Sequence, residues 1–160
     1  MSRATRLTFD NASYHIMVRG NQRQVTFIEK DDFLKYLELL KHYKRRYNFR
    51  LYGYCLMPNH VHLIVEVKKA LILSKLMQGL NQTYTIWFNK KYKKVGHLWQ
   101  GRYKSKVIEK NQYLLGCLEY VELNPIRANI SKSPFDYPWS SWLGRLNHKK
   151  DGLLDTPGLT

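Results

Sequence analysis

Residues 57–67 alternate with a period of two: Val61, Leu63, Val65 and Val67 fall on one side, and His60, His62, Ile64 and Glu66 on the other. Successive side chains of a strand point to opposite faces, so the apolar set is the core face and two imidazoles lie off it. Pro58-Asn59 is a turn signal, and residues 49–56 read as a second strand, which predicts a hairpin with His60 at the first pleat of its second strand. Upstream, residues 14–19 alternate weakly and stop at Gly20-Asn21, a strand entering a turn. Asp31 or Asp32 can cap a helix to about Tyr47, with Phe33, Tyr36, Leu37, Leu40 and Tyr43 or Lys44 at helical spacing. A second long helix is predicted from about Ser74 to Lys90, its stripe made of Leu73, Leu76, Met77, Leu80, Tyr84 and Trp87. Residues 105–109 read as a strand. Asn111 can cap a third helix through Leu123, where Asn124-Pro125 stops it, because a residue before proline is pushed out of the helical region.

The order strand, helix, strand, strand, helix, strand, helix predicts an α+β fold: a ferredoxin-like, RRM-like antiparallel sheet with helices packed on it. Residues 1–145 are expected to form one domain, beginning with a loosely held basic arm. A proline- and aromatic-rich segment, residues 134–142, is expected to pack on the core, and residues 146–160 to form an extended or frayed tail. The chain of 160 residues is 44% hydrophobic, enough for one ordinary core.

Charge changes the picture more than length does. Lys and Arg number 27 against 12 Asp and Glu, a net charge of +15, and 12 Tyr, 4 Trp and 6 Phe are interleaved with the bases. Such a surface is drawn to polyanions, and aromatic side chains between cations suit stacking on single-stranded bases, so nucleic acid is the first partner to consider. No apolar run reaches membrane-spanning length and the amino terminus carries no secretory pattern, so a soluble protein that stays inside the cell is expected. Cys55 and Cys117 sit in apolar stretches without metal or redox spacing and are read as buried thiols.

Two histidines two residues apart aim both rings at one point, and neutral imidazole is the commonest metal ligand, so His60 and His62 are candidate ligands of one divalent cation. Two ligands do not make a site, and a third must come from elsewhere. On the third helix Tyr113, Cys117, Tyr120 and Asn124 share one face, with the β-carbons of Tyr120 and Asn124 about 5–6 Å apart if the last turn stays regular. With the long helices on the apolar face of the sheet, the histidine face is left for the third helix or for a ligand. An amide from Asn124 completes a neutral His-His-Asn set, which leaves the cation its full charge for a phosphodiester oxygen. Tyr120, one turn away, becomes a candidate nucleophile, because a phenol near a divalent cation loses its proton well below its usual pKa of about 10.

Residues 57–63 (MPNHVHL), 96–104 (GHLWQGRYK) and 120–128 (YVELNPIRA) resemble the single-tyrosine HUH transposases of bacteria, the IS200-like family. Residues 14–21 (YHIMVRGN) and 137–142 (YPWSSW) resemble the branch called REP-associated tyrosine transposases, and the likeness covers about residues 5–143. The resemblance implies magnesium or manganese held by His60, His62 and Asn124, with Tyr120 attacking a phosphodiester of single-stranded or hairpin DNA. It implies a 5′-phosphotyrosine, a departing 3′-hydroxyl, and strand transfer when a second 3′-hydroxyl reverses the step. Arg19, Arg23, Trp99, Arg102, Lys104 and Arg127 are the inferred DNA contacts. A cytoplasmic, nucleoid-associated protein follows, acting as a monomer or as a homodimer that shares its active sites. Two competing readings are a non-catalytic single-stranded nucleic-acid-binding module on an RRM-like sheet and a metal-dependent hydrolase without covalent catalysis.

Overall fold

In the computed structural model, residues 7–109, 111–147 and 151–158 are described. Four strands, β1 (Ala12–Arg19), β2 (Arg50–Met57), β3 (His60–Val67) and β4 (Lys104–Ile108), form one sheet in the order β2-β3-β1-β4. Every neighbouring pair is antiparallel. Two long helices, α1 (Lys30–Tyr47) and α2 (Ala70–Tyr92), connect β1 to β2 and β3 to β4. This is the ferredoxin-like arrangement that the element order predicts.

The period-2 pattern sorts the sheet into two faces. Tyr14, Ile16 and Val18 of β1, Leu51 and Leu56 of β2, and Val61, Leu63, Val65 and Val67 of β3 are buried in one cluster with the inner sides of α1 and α2. On the opposite face lie His15, Met17 and Arg19, which stand directly across from Ile64, His62 and His60. Lys104 and Lys106 of β4 continue that face, opposite Met17 and His15.

Helix α3 (Asn111–Glu122) covers only the β2 and β3 half of this second face. Its Leu114, Leu118 and Val121 form a smaller core with Tyr52, Cys55, Met57, Ile64 and Tyr137. Gly53 makes the close approach possible, since a β-carbon there would lie 2.4 Å from Leu118 Cδ2. Leu115, placed in the apolar stripe by spacing, is 46% exposed, because the helix buries only the narrow side that meets β2.

Helix ends depart from the local pattern for identifiable reasons. Helix α2 begins at Ala70 rather than near Ser74, because the carboxylate of Asp10 accepts a hydrogen bond from Ala70 N at 2.8 Å and caps it from 60 residues away. It runs on to Tyr92 and buries Phe88, while Trp87 packs at the rim. Helix α3 ends at Glu122, and Asn124-Pro125 opens a further short helix, α4 (Asn124–Arg127), since proline suits the first turn of a helix. The chain bends at Leu123 (φ −91°, ψ 4°), so the last turn is not the regular one assumed for Tyr120 and Asn124.

The aromatic segment after α4 packs as predicted. Trp139 O accepts from Leu56 N, Ser141 N donates to Tyr54 O, and a last helix, α5 (Trp142–Leu146), follows. Residues 151–158 form neither helix nor strand and are docked on the domain. Leu153 is buried in the main core, and Asp155 accepts from Leu51 N and pairs with Lys44 at 2.8 Å. Residues 2–6 of the basic arm lie outside the described residues.

Candidate active site on the second face of the sheet

His60 opens β3 immediately after the Pro58-Asn59 turn, and Asn59 holds it. The Asn59 side chain donates from Nδ2 to the carbonyl of Arg23 (3.4 Å), so its Oδ1 faces His60 Nδ1 at 2.7 Å. An amide oxygen only accepts, so Nδ1 carries the proton and Nε2 keeps its lone pair. His62 is 5% exposed, and its Nδ1 lies 2.9 Å from Nε2 of His15. The rings of His60 and His62 are 5.0 Å apart and nearly perpendicular.

Electrostatics keeps these rings neutral. Burial, then Arg19 across the strand pair, pushes His60 down to about 4. Burial, His15, His60, Arg127 and Arg19 push His62 down to about 3. Burial and Lys106 lower His15 as well. A neutral imidazole is the ligating form, so at neutral pH no proton has to leave before a cation binds.

Tyr120 projects from α3 at the boundary between the covered and the open half of the sheet and is 53% exposed. It is joined to the histidines through His15: the Tyr120 and His15 rings meet edge-on with centroids 6.3 Å apart, and the His15 and His62 centroids are 5.1 Å apart. Arg127 lies over the Tyr120 ring, its Cζ 3.9 Å from the centroid, and its guanidinium donates to the Tyr120 carbonyl. Beside them a cleft of about 700 Å³ runs between β4 and α3, bordered by His15, Lys106, Tyr113 and Tyr120.

The amide nitrogen of Asn124 is buried without a hydrogen-bond partner. Turning the amide over exchanges its oxygen and nitrogen, so the same position can offer an oxygen to a cation. Among the described residues no group of three or more His, Cys, Asp and Glu side chains could hold a metal ion. Asn124 opens α4, which packs against β2, the sheet neighbour of the histidine strand. His60, His62 and Asn124 together offer neutral nitrogen and oxygen donors of the kinds divalent cations accept.

The inferred DNA contacts divide. Arg19 stands opposite His60, and Arg23 lies in the turn that buttresses Asn59. Arg102 and Lys104 are exposed, Lys104 on the row that runs through Met17 to His62. Trp99 does not join them. It is 7% exposed and packs with Phe27, Tyr36 and Tyr84 in the main core, so it is a structural aromatic rather than a stacking surface. Sequence reasoning missed His15, Asn59 and Lys106 as members of the site. His15 shares a period-2 face with Arg19, but only the β1–β3 register shows that this face is the histidine face.

The site thus combines a ferredoxin-like sheet, a paired-histidine strand and a helix-borne tyrosine. Residues 8–124 match the family model described as "Transposase IS200 like", and the chain belongs to that family. The matched span contains His60, His62, Tyr120 and Asn124. A Haemophilus influenzae protein named as a REP-associated tyrosine transposase is 26% identical, covering 60% of this chain and 60% of that relative's length. The structure of a REP-associated tyrosine transposase bound to a REP hairpin superposes with a TM-score of 0.75 at 17% identity, covering 100% of this chain and 94% of that one. The crystal structure of a protein from Deinococcus radiodurans assigned as a transposase gives 0.50 at 16% identity, covering 76% of this chain and 96% of that one. At these identities the two structures establish the fold.

Proposed function

We propose that this chain cleaves and rejoins single-stranded DNA beside a hairpin, using Tyr120 as nucleophile at a divalent-cation site formed by His60, His62 and Asn124. The observation that carries the reading is the continuous contact from His60 through His62 and His15 to Tyr120, on the face of the sheet that bears α3. Hairpin DNA as partner is supported by the transposase of similar fold bound to a REP hairpin.

When bound, the cation supplies Lewis-acid polarisation of a phosphodiester oxygen. The remaining work belongs to the chain's own residues. Arg19 and Lys104 flank the histidine row and attract the phosphates. Arg127 holds the Tyr120 ring from one side while His15 meets its edge, which limits the arc through which the phenol oxygen moves. That oxygen attacks phosphorus, the bond from phosphorus to the 3′-oxygen breaks, and the phenol proton is passed to the departing 3′-hydroxyl. The 5′ side stays on Tyr120 as a phosphodiester. A second 3′-hydroxyl repeats the exchange in reverse, frees the tyrosine and leaves a joined strand, with no net change in the number of phosphodiester bonds.

The RRM-like binding module receives less support, because base stacking on a sheet needs exposed strand aromatics and Tyr14, Tyr52 and Tyr54 are all buried. The test is a cleavage assay on labelled single-stranded DNA carrying a hairpin, with magnesium or manganese. Tyr120→Phe is expected to abolish cleavage, by at least about a thousand-fold in rate given the loss of the nucleophile, and to bind the hairpin as tightly as wild type. Unchanged cleavage by Tyr120→Phe would move the chain to the hydrolase reading.

A further inference from the structure

His15 lies on β1, directly across from Ile64 and one pleat from the position facing His62. Diagonal neighbours on antiparallel strands are within reach of aromatic side chains, and here the two ring centroids lie 5.1 Å apart with 28° between their planes. The contact is also polar, since His15 Nε2 and His62 Nδ1 are 2.9 Å apart. One of these nitrogens donates and the other accepts, and the two polarities have opposite chemical consequences. If His15 donates, His62 in its neutral form must carry its proton on Nε2, and that nitrogen has no lone pair for a cation. If His62 donates, its Nε2 is free.

We propose that His15 is a positioning residue that accepts the Nδ1–H of His62, fixing the tautomer in which His62 Nε2 can ligate a divalent cation. The inference rests on the cation site proposed above. His60 is held in the same manner by a different acceptor, Asn59 Oδ1 at 2.7 Å, so both candidate ligands are tethered at Nδ1 and present the same nitrogen. Outer partners of this kind set ring orientation and ligand basicity at histidine metal sites, and their loss typically weakens metal binding about 10–100-fold. The edge contact with Tyr120 gives His15 a second role, because the acceptor that fixes the ligand also borders the nucleophile's ring.

His15→Phe keeps a flat ring beside the Tyr120 edge but cannot accept a hydrogen bond, whereas His15→Gln restores an acceptor without the ring. The readout is manganese affinity of DNA-free protein, from the electron paramagnetic resonance signal of the free ion, together with urea unfolding midpoints. The expected result is a 10–100-fold weaker dissociation constant in His15→Phe, substantial recovery in His15→Gln, and an unfolding midpoint of His15→Phe within experimental scatter of wild type. Wild-type affinity in His15→Phe would overturn the proposal. Long-range proton-nitrogen correlation spectra of wild-type protein test it without any substitution: a proton on His62 Nδ1 is expected, and one on Nε2 would overturn it. Failure of wild-type protein to bind manganese at all would instead overturn the cation site itself.

Discussion

At the scale of single residues, the structure separates aromatics and bases that a local reading groups together. Trp99 and Arg102 are three residues apart in one glycine-flanked cluster, yet Trp99 is a core residue and Arg102 is exposed. Trp99→Ala is therefore expected to cost about 3–5 kcal/mol of stability, as large-to-small core changes do. Arg102→Ala is expected to change stability by less than about 0.5 kcal/mol while weakening DNA binding. Chemical denaturation and a salt-controlled binding titration on the two variants check this, and a stability loss in Arg102→Ala equal to that of Trp99→Ala would contradict it. Composition could not divide the pair, because the partners that bury Trp99, among them Phe27, Tyr36 and Tyr84, come from distant segments. His60 and His62 were legible for the opposite reason: the alternation and the turn that define them are both local. His15 was not, since its meaning depends on a strand register joining residues 47 apart.

At the scale of elements, α3 is the piece that must be held still, because it carries Tyr120. Its last residue, Glu122, is completely buried and accepts two hydrogen bonds from Arg145, at 2.6 and 3.0 Å, and one from Ser141 Oγ at 2.6 Å. The same hydroxyl receives Tyr54 N at 2.9 Å, so one network ties α3, β2 and the aromatic segment near α5 together. Breaking a buried ion pair by removing one partner leaves the other uncompensated, and Glu122→Ala is expected to cost about 3–5 kcal/mol. A thermal unfolding scan checks this, and a change below about 1 kcal/mol would show that α3 is anchored by its apolar contacts alone. The helix itself was readable from spacing, and so was the packing of residues 134–142. The purpose of Glu122 was not, because a carboxylate in a helix reads as solvated until Arg145 and Ser141 are brought to it. The start of α2 was missed on similar grounds, its cap being supplied by Asp10 from the other end of β1.

At the scale of the whole molecule, the sheet is built with one face as core and half of the other left open. In a chain of net charge +15, Arg19, Lys104 and Lys106 stand on the same face as the neutral histidines. Their neutrality has a consequence for stability. His60 and His62 sit at about 4 and about 3 in the folded chain, while the unfolded chain titrates near 6.5. Between about pH 6.5 and 4 the unfolded state holds more protons, so this contribution to stability is complete above the window and is lost as pH falls through it. Urea midpoints of metal-free protein are expected to decline from pH 7 to pH 5, and the double variant His60→Asn, His62→Asn to decline less steeply. Identical slopes would contradict the burial of these rings in neutral form. Among the described residues no helix is long and apolar enough to cross a membrane.

The central claim is that Tyr120 becomes covalently joined to DNA at the cation site. The most direct measurement is mass spectrometry of tryptic peptides after incubation with single-stranded hairpin DNA and manganese, with a chelator-treated control. A nucleotide-modified peptide carrying Tyr120, formed with the metal and absent without it, is the predicted result. Cleaved DNA with Tyr120 unmodified, or an adduct on another tyrosine, would contradict the account.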